Sequence, residues 1–571
     1  MRPGEGRFWN LQWAALLLVA VLAVYWPALG GAFLWDDLPA IADNPYLRSW
    51  EGLKAIWLGI AAIPNESHYW PVLYTIYWVQ YQIWGAAPLG YHVSNLVLHT
   101  GCGLVLVAIA RWMRLPGACL AAFVFCLHPV QVESVAWIHS SKNLLSGVLG
   151  GLGVLACLHG RDCTGKRFAG MVALGCVLLA LAMLAKSSAV VFPAAFALAI
   201  LVREHRLTPR DWAVIGGAAV VVAGLAWMDF VYSRGKEQAD FGLDRVERAA
   251  LITGNLAHYL KTAVFPFPLL TAYPKPDLTW DAGMFGRLAV VLALAVLVVW
   301  QAMVRRSWGI AALGAWFMLA HLPTVGVVDF GFMKHSTVAD RYQYLPMASV
   351  ALAVGGAFSA LRRQPWARGW WPEGVAYMFV LALGAMSWWQ AGLYRDNGTL
   401  FRWTYKWNPD SALAAAQLGA DALQAGEVER AEVLLARSVG LDSENAAAWS
   451  NLGLIAVQRG DWETAISHYR GALKLEPSWM KIANDLAWLL ANKPEASGTE
   501  LSEALVLAKR ANDWAQSQDE NVLDTLAECE LANGNVAAAK DAWRRASHLA
   551  ALRGNDQMER AIDARLAELS D

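Results

Sequence analysis

The chain has 571 residues, 57% hydrophobic and 16% charged, with 30 Trp and a mean hydropathy of +0.34. This excludes a wholly soluble globular protein and points to a polytopic membrane protein with a soluble part attached. The net charge of -1 gives no basis for a nucleic-acid partner.

The N-terminus, with Arg2 and Arg7, leads into an apolar run at 11–30 and reads as an uncleaved first span entered from the cytoplasm. A spanning helix needs about 20 apolar residues. Further runs at roughly 90–111, 117–137, 143–159, 168–185, 187–202, 211–232, 285–303, 308–326, 342–361 and 374–392 predict about 11 spans. The stretches 69–87 and 251–270 are ambiguous. If neither crosses, Arg111/Arg114, Arg161/Lys166/Arg167, Arg203/Arg206/Arg210, Arg305/Arg306 and Arg362/Arg363/Arg368 all fall on the cytoplasmic side. The Trp, Tyr, Gln80 and Gln82 of 69–87 suit a helix lying in the interface. A long first outer loop, 31–89, results, and the C-terminus lies outside. The domains expected are a transmembrane part, 1–395, and a soluble helical part, 396–571.

That loop opens with "FLWDDLPAIADNP", residues 33–45. The adjacent acids Asp36 and Asp37 repel, so they either open a solvated loop or have a chemical role. Next comes "CLHPVQVESVAWIHSSKNLLSG", 126–147, with His128, Glu133, His139, Lys142 and Asn143. A buried Glu and a Lys at a span boundary are costly unless used; a snorkelling Lys and a satisfied polar pair are the alternative. The "HSTVADRYQYLP" stretch, 335–346, places Arg341 on the outer face, as the topology also places Lys142 and Lys186. Three basic residues returning to one face suit a phosphate at headgroup depth. The paired acids suit a divalent ion such as Mg or Mn, yet no ligand set is evident, and His68, His92 and His99 read as ordinary polar residues in aromatic surroundings.

From about Asn408 the chain becomes Ala-, Glu- and Arg-rich. Gly419 and Gly453, Gly426 and Gly460, and Ala431 and Ala465 are each 34 residues apart, and 445–478 fits the tetratricopeptide pattern. A third unit runs from about 480 to 513. A fourth follows with Leu526, Gly534, Ala539, Trp543 and Ala546 in phase, and a last helix near 556–569 caps the stack. Gln417, Asn451, Asp485 and Thr525 share one repeat position on the inner helices, where polar side chains can hold an extended acceptor peptide or are merely solvated.

The "FLWDD" loop, "HPVQVESVAWIHSSKN", "ADRYQYLP" and the repeats together resemble the membrane O-mannosyltransferase family that carries tetratricopeptide repeats, and its bacterial relatives. The resemblance implies a GT-C glycosyltransferase bundle followed by an α-solenoid, an all-α fold. It also implies a polyprenyl-phosphate sugar donor, an extracytoplasmic active site and a first-loop acid acting on the acceptor. Asp36 matches that acid, with Asp37 beside it, and Glu133 matches the acid of the second motif. Lys142 stands where relatives have basic residues. Ser141 and Asn143 depart from the pattern, at positions often Arg and acidic.

The expected catalytic residues are therefore Asp36, Asp37 and Glu133. Lys142, Arg341 and Lys186 are the expected donor-phosphate contacts, and Gln417, Asn451, Asp485 and Thr525 the expected acceptor contacts. The expected protein is an inverting protein O-glycosyltransferase of a bacterial inner membrane, with periplasmic repeats that dock a secreted or envelope acceptor. A membrane-anchored tetratricopeptide scaffold with an inactive core is the alternative.

Overall fold

A computed structural model describes residues 5–61, 63, 66–234, 241–515 and 517–569. Arg2 lies outside this set. Every regular element among the described residues is helical, and the chain divides into two compact units, Met1–Asn408 and Pro409–Asp571.

In the first unit, seven helices are long and apolar enough to cross a membrane: Pro88–Trp112, Ile138–Arg161, Gly165–Ala185, Ser187–Glu204, Pro209–Ser233, Ala282–Met303 and Trp371–Arg395. An eighth span is a bent pair, Ala118–Leu127 with Pro129–Ala136, turning by 56°. The other three expected spans fall on Glu5–Val24, a helix of 20 residues, and on the shorter apolar helices Trp308–His321 and Met347–Leu361. Of the roughly 11 expected spans, seven or eight have the length and hydropathy of a full span among the described residues. A helix of 14 residues reaches about 21 Å at 1.5 Å per residue, against a hydrocarbon core of about 30 Å.

The bend has a local cause. Pro129 cannot continue the preceding helix, and the His128 side chain caps the new turn by accepting from Val130 N at 3.3 Å. Asn95 Nδ2 donates to Val135 O at 3.2 Å. The turn carries Glu133 into the interior.

The ambiguous 69–87 stretch is a helix of 14 residues, Pro71–Trp84. It is tied to the loop before it: Gln82 Nε2 donates to Leu47 O at 2.8 Å and Trp78 Nε1 to Ser49 O at 2.9 Å. The 251–270 stretch falls on Arg245–Val264, started by a capping box of Asp244 and Glu247.

The first unit ends later than the expected boundary of 395. Helix Asn397–Trp407 buries Leu400, Phe401 and Thr404, and Trp403 Nε1 donates to Leu269 O at 3.0 Å. Those contacts place residues 396–408 in the membrane unit.

The second unit consists of helical pairs: Ala412–Gln424 with Val428–Leu441, Ala446–Gln458 with Trp462–Leu475, Met480–Asn492 with Gly498–Trp514, and Glu520–Ala532 with Val536–Arg553. Asp556–Glu568 closes the series. Small residues permit close pairing: a Cβ on Gly453 would lie 2.6 Å from the Tyr469 ring. Gly426, Gly460 and Gly534 turn the first, second and fourth pairs at φ of 77, 73 and 80°, a conformation that favours Gly.

Candidate active site

The two acids of the first loop have different environments. Asp37 is fully buried. Its Oδ2 accepts from Leu34 N at 2.8 Å and its Oδ1 from His139 N at 2.7 Å. Burial pushes its carboxyl well above the ordinary value, against the pull of both amides. Asp37 thus ties the first loop to the His139 turn, each of its oxygens accepting one backbone hydrogen bond.

Asp36 is half-buried, and no described residue donates a hydrogen bond to its side chain. Its pKa is pushed up to about 6 by burial, opposed by the charges of Lys142 and Arg341. The residue before it, Trp35, holds a left-handed φ of 43°, costing about 1–3 kcal/mol for a side chain of this kind. Packing maintains it. The Trp35 indole stacks on Trp137 at 5.4 Å and 6°, and its backbone N donates to Asn397 Oδ1 at 3.1 Å. This turn points Asp36 and Asp37 in different directions.

Glu133 and Arg341 form a buried pair. Arg341 donates from its backbone N to Oε2 at 2.7 Å and from Nη1 to Oε1 at 2.5 Å. The guanidinium also lies 4.0 Å from the Phe332 ring centre, 5.0 Å from Tyr342 and 5.3 Å from Trp137. Both Glu133 oxygens thus accept from Arg341, and Glu133 anchors the guanidinium. Adjacent Asp340 accepts from the Tyr273 hydroxyl at 2.8 Å, and burial, then Glu133, raises its pKa well above normal.

Lys142 lies 2.8 Å from His139 Nε2, and its ammonium sits 4.7 Å from the centre of the Trp70 ring. Lys186 is buried, donates to Asn143 Oδ1 and lies 5.8 Å from the Tyr342 ring centre. Asn143, where relatives often have an acid, thus serves a lysine; Ser141, where they often have Arg, shares a 2.8 Å hydrogen bond with the Tyr77 hydroxyl. The six expected membrane-side residues therefore converge on one region through shared partners.

His92 and His99 fit the expected polar role: His92 Nε2 contacts Gly31 O at 3.3 Å, and His99 contacts the Tyr344 hydroxyl at 2.9 Å and Cys126 O at 3.0 Å. His68 departs from it, pairing with Asp229 at 3.1 Å and stacking on Trp70. Sequence reading missed Trp70, Asp229 and Ser187; one Trp in an aromatic-rich stretch carries no distinguishing signal. Among the described residues no group of three or more His, Cys, Asp or Glu is arranged to hold a metal.

An apolar cavity of about 130 Å³ lies among the membrane helices, lined by residues including Leu106, Val154, Phe192, Trp316, Tyr344 and Leu352. Its wall includes Gly147, about one helical turn from Asn143.

In the second unit Gln417, Asn451, Asp485 and Thr525 hold the same position in four successive first helices. The first three are half-buried. Thr525 is only 4% exposed, more deeply packed than the other three.

The family model described as "Tetratricopeptide repeat" matches residues 446–479. The chain is 30% identical over 152 residues to "Protein O-mannosyl-transferase F38B6.6" of Caenorhabditis elegans, covering 25% of this chain and 22% of that one. It is 28% identical over 146 residues to mouse "Protein O-mannosyl-transferase TMTC3", covering 24% and 16%. It is 30% identical over 156 residues to human "Protein O-mannosyl-transferase TMTC4", covering 23% and 21%. The chain therefore spans about a fifth of the length of these curated relatives. A solved structure described as YrrB, a TPR protein, is 14% identical, with a TM-score of 0.24 and coverage of 34% of this chain and 92% of that one. Over about a quarter of its length the chain is similar to proteins named protein O-mannosyl-transferases, and it carries a tetratricopeptide repeat.

Proposed function

We propose that this chain is an integral-membrane GT-C glycosyltransferase that moves mannose or another hexose from a polyprenyl phosphate to Ser/Thr hydroxyls of secreted or envelope proteins. The observation that carries this reading is Asp36, half-exposed, free of hydrogen bonds from described residues and under the influence of Lys142 and Arg341. The relatives' printed names support the reaction class.

A Ser or Thr hydroxyl is a poor nucleophile until a base takes its proton. Asp36 accepts that proton as the oxygen attacks the anomeric carbon from the face opposite the phosphate. The bond from carbon to phosphate oxygen breaks, its electron pair leaves with the lipid phosphate, and the anomeric centre inverts. Lys142 and Arg341 stabilise the departing charge; Lys186, held by Asn143, adds positive potential behind them. Asp37 and Glu133 position these groups. The apolar cavity supports a donor with a long hydrocarbon chain. A resident Mg or Mn does not fit the donor set, because Asp37 is already occupied by two amides and Asp36 stands beside two cations; no step is assigned to an ion.

Gln417, Asn451 and Asp485 line the acceptor groove of the repeats. The loop 31–89 and the repeats are placed outside the cytoplasm of a bacterial inner membrane, in keeping with the basic clusters on the opposite turns. Comparative glycoproteomics of envelope proteins, with and without this chain, tests the proposal. Loss of specific Ser/Thr glycans is expected. An unchanged glycan pattern leaves the membrane-anchored scaffold as the reading.

A further inference from the structure

Arg341 and Lys142 are held in opposite ways. Arg341 has its charge compensated by Glu133. Among the described residues no carboxylate forms an ion pair with Lys142; its close partners are the neutral acceptor face of His139 and the Trp70 ring. A ring face holds an ammonium through its quadrupole without cancelling its charge. An arriving phosphate then need not displace a carboxylate.

The ring is itself fixed. Trp70 is buried, and its Nε1 donates to Ser187 Oγ at 3.0 Å. Ser187 Oγ donates to Asp229 Oδ2 at 2.5 Å. Asp229, near the end of Pro209–Ser233, also accepts from Tyr69 N at 2.7 Å and contacts His68 Nδ1 at 3.1 Å. The His68 ring stacks on Trp70 at 4.5 Å and 11°. Asp229 therefore anchors the segment 68–70 through three partners, and this segment presents the Trp70 face to Lys142.

We infer that Trp70, clamped by Ser187 and Asp229, is a positioning residue that holds the Lys142 ammonium out of any direct carboxylate ion pair, making Lys142 the chief cation for the donor phosphate. This rests on Lys142 contacting that phosphate, as proposed above.

The test is binding of undecaprenyl monophosphate to the full chain in nanodiscs, with scanning fluorimetry to confirm the fold of each variant. Lys142→Ala is expected to weaken binding at least about tenfold. Trp70→Leu weakens it about fivefold, and Trp70→Phe, which keeps a ring face, less than about twofold. In a Lys142→Ala background, Trp70→Leu has no further effect, because its influence passes through the lysine. Asp229→Asn shows the same dependence on Lys142 and serves where Trp70→Leu does not fold. The inference is overturned if Lys142→Ala weakens binding while Trp70→Leu and Asp229→Asn do not. Equal losses in both backgrounds also overturn it. If Lys142→Ala leaves binding unchanged, the assignment of Lys142 to the phosphate fails, and this inference fails with it.

Discussion

The Asp37 carboxyl is bonded to the His139 backbone amide at 2.7 Å, joining the first loop to the turn that carries Lys142. A second amide, from Leu34, takes its other oxygen. Two adjacent acids with the same side chain are thereby separated into an anchor and an open group. Substitutions at these positions are expected to have different signatures.

Asp36→Asn abolishes transfer and leaves the melting temperature within experimental error of the parent, since no hydrogen bond to its side chain is lost. Asp37→Ala lowers stability by about 2–4 kcal/mol, as two buried amides lose their acceptor. Turnover assays and thermal unfolding of the two purified variants check this pair of outcomes. A destabilised Asp36→Asn protein argues for a structural Asp36.

The pH profile reports the open acid. Asp36 has a pKa pushed up to about 6. As a base it works only when deprotonated, so kcat/KM rises with pH through about 6 and falls about tenfold per unit below it. The limb belongs to the free enzyme, so kcat/KM is read at subsaturating detergent-solubilised acceptor. An acidic limb near the ordinary carboxylate value excludes the elevated pKa.

Glu133→Gln removes the charge that compensates Arg341 and is expected to cost about 3–5 kcal/mol, the penalty for breaking a buried pair. Arg341→Lys does not restore function, because an ammonium cannot make the forked contact. Chemical denaturation and donor titrations separate the two effects. A Glu133→Gln protein of parental stability contradicts the anchoring role.

Within the repeats, Asn451→Ala and Gln417→Ala raise the KM for a full-length acceptor protein and leave donor binding unchanged. Thr525→Ala, buried in the parent, leaves the acceptor KM unchanged. Steady-state kinetics with a fixed donor concentration decide the matter. An equal effect from all three variants contradicts the half-buried groove assignment.

The membrane runs and the repeat register were legible in the sequence because both are periodic over many residues. The helices at 412–424, 446–458 and 480–492 start 34 residues apart, as the repeated positions predict. The convergence of Asp36, Glu133, Lys142 and Arg341 was legible through short motifs. Their division of labour was not. Whether Asp36 or Asp37 is open depends on the left-handed turn at Trp35, which no local pattern announces. Glu133 meets Arg341 across more than 200 positions of chain, and the Trp70 clamp unites residues from three separate segments. The shortness of Trp308–His321 also escaped hydropathy, which continues past the point where the backbone leaves the helix.

The central claim is that this chain transfers a lipid-linked sugar to a hydroxyl with Asp36 as base. It is tested most directly by mass spectrometry of a Ser/Thr acceptor incubated with polyprenyl-phosphate mannose and the purified full chain in nanodiscs. The account predicts a hexose added to the acceptor by the parent protein and none by Asp36→Asn at equal folded concentration. Equal transfer by both proteins, or transfer by neither, contradicts it.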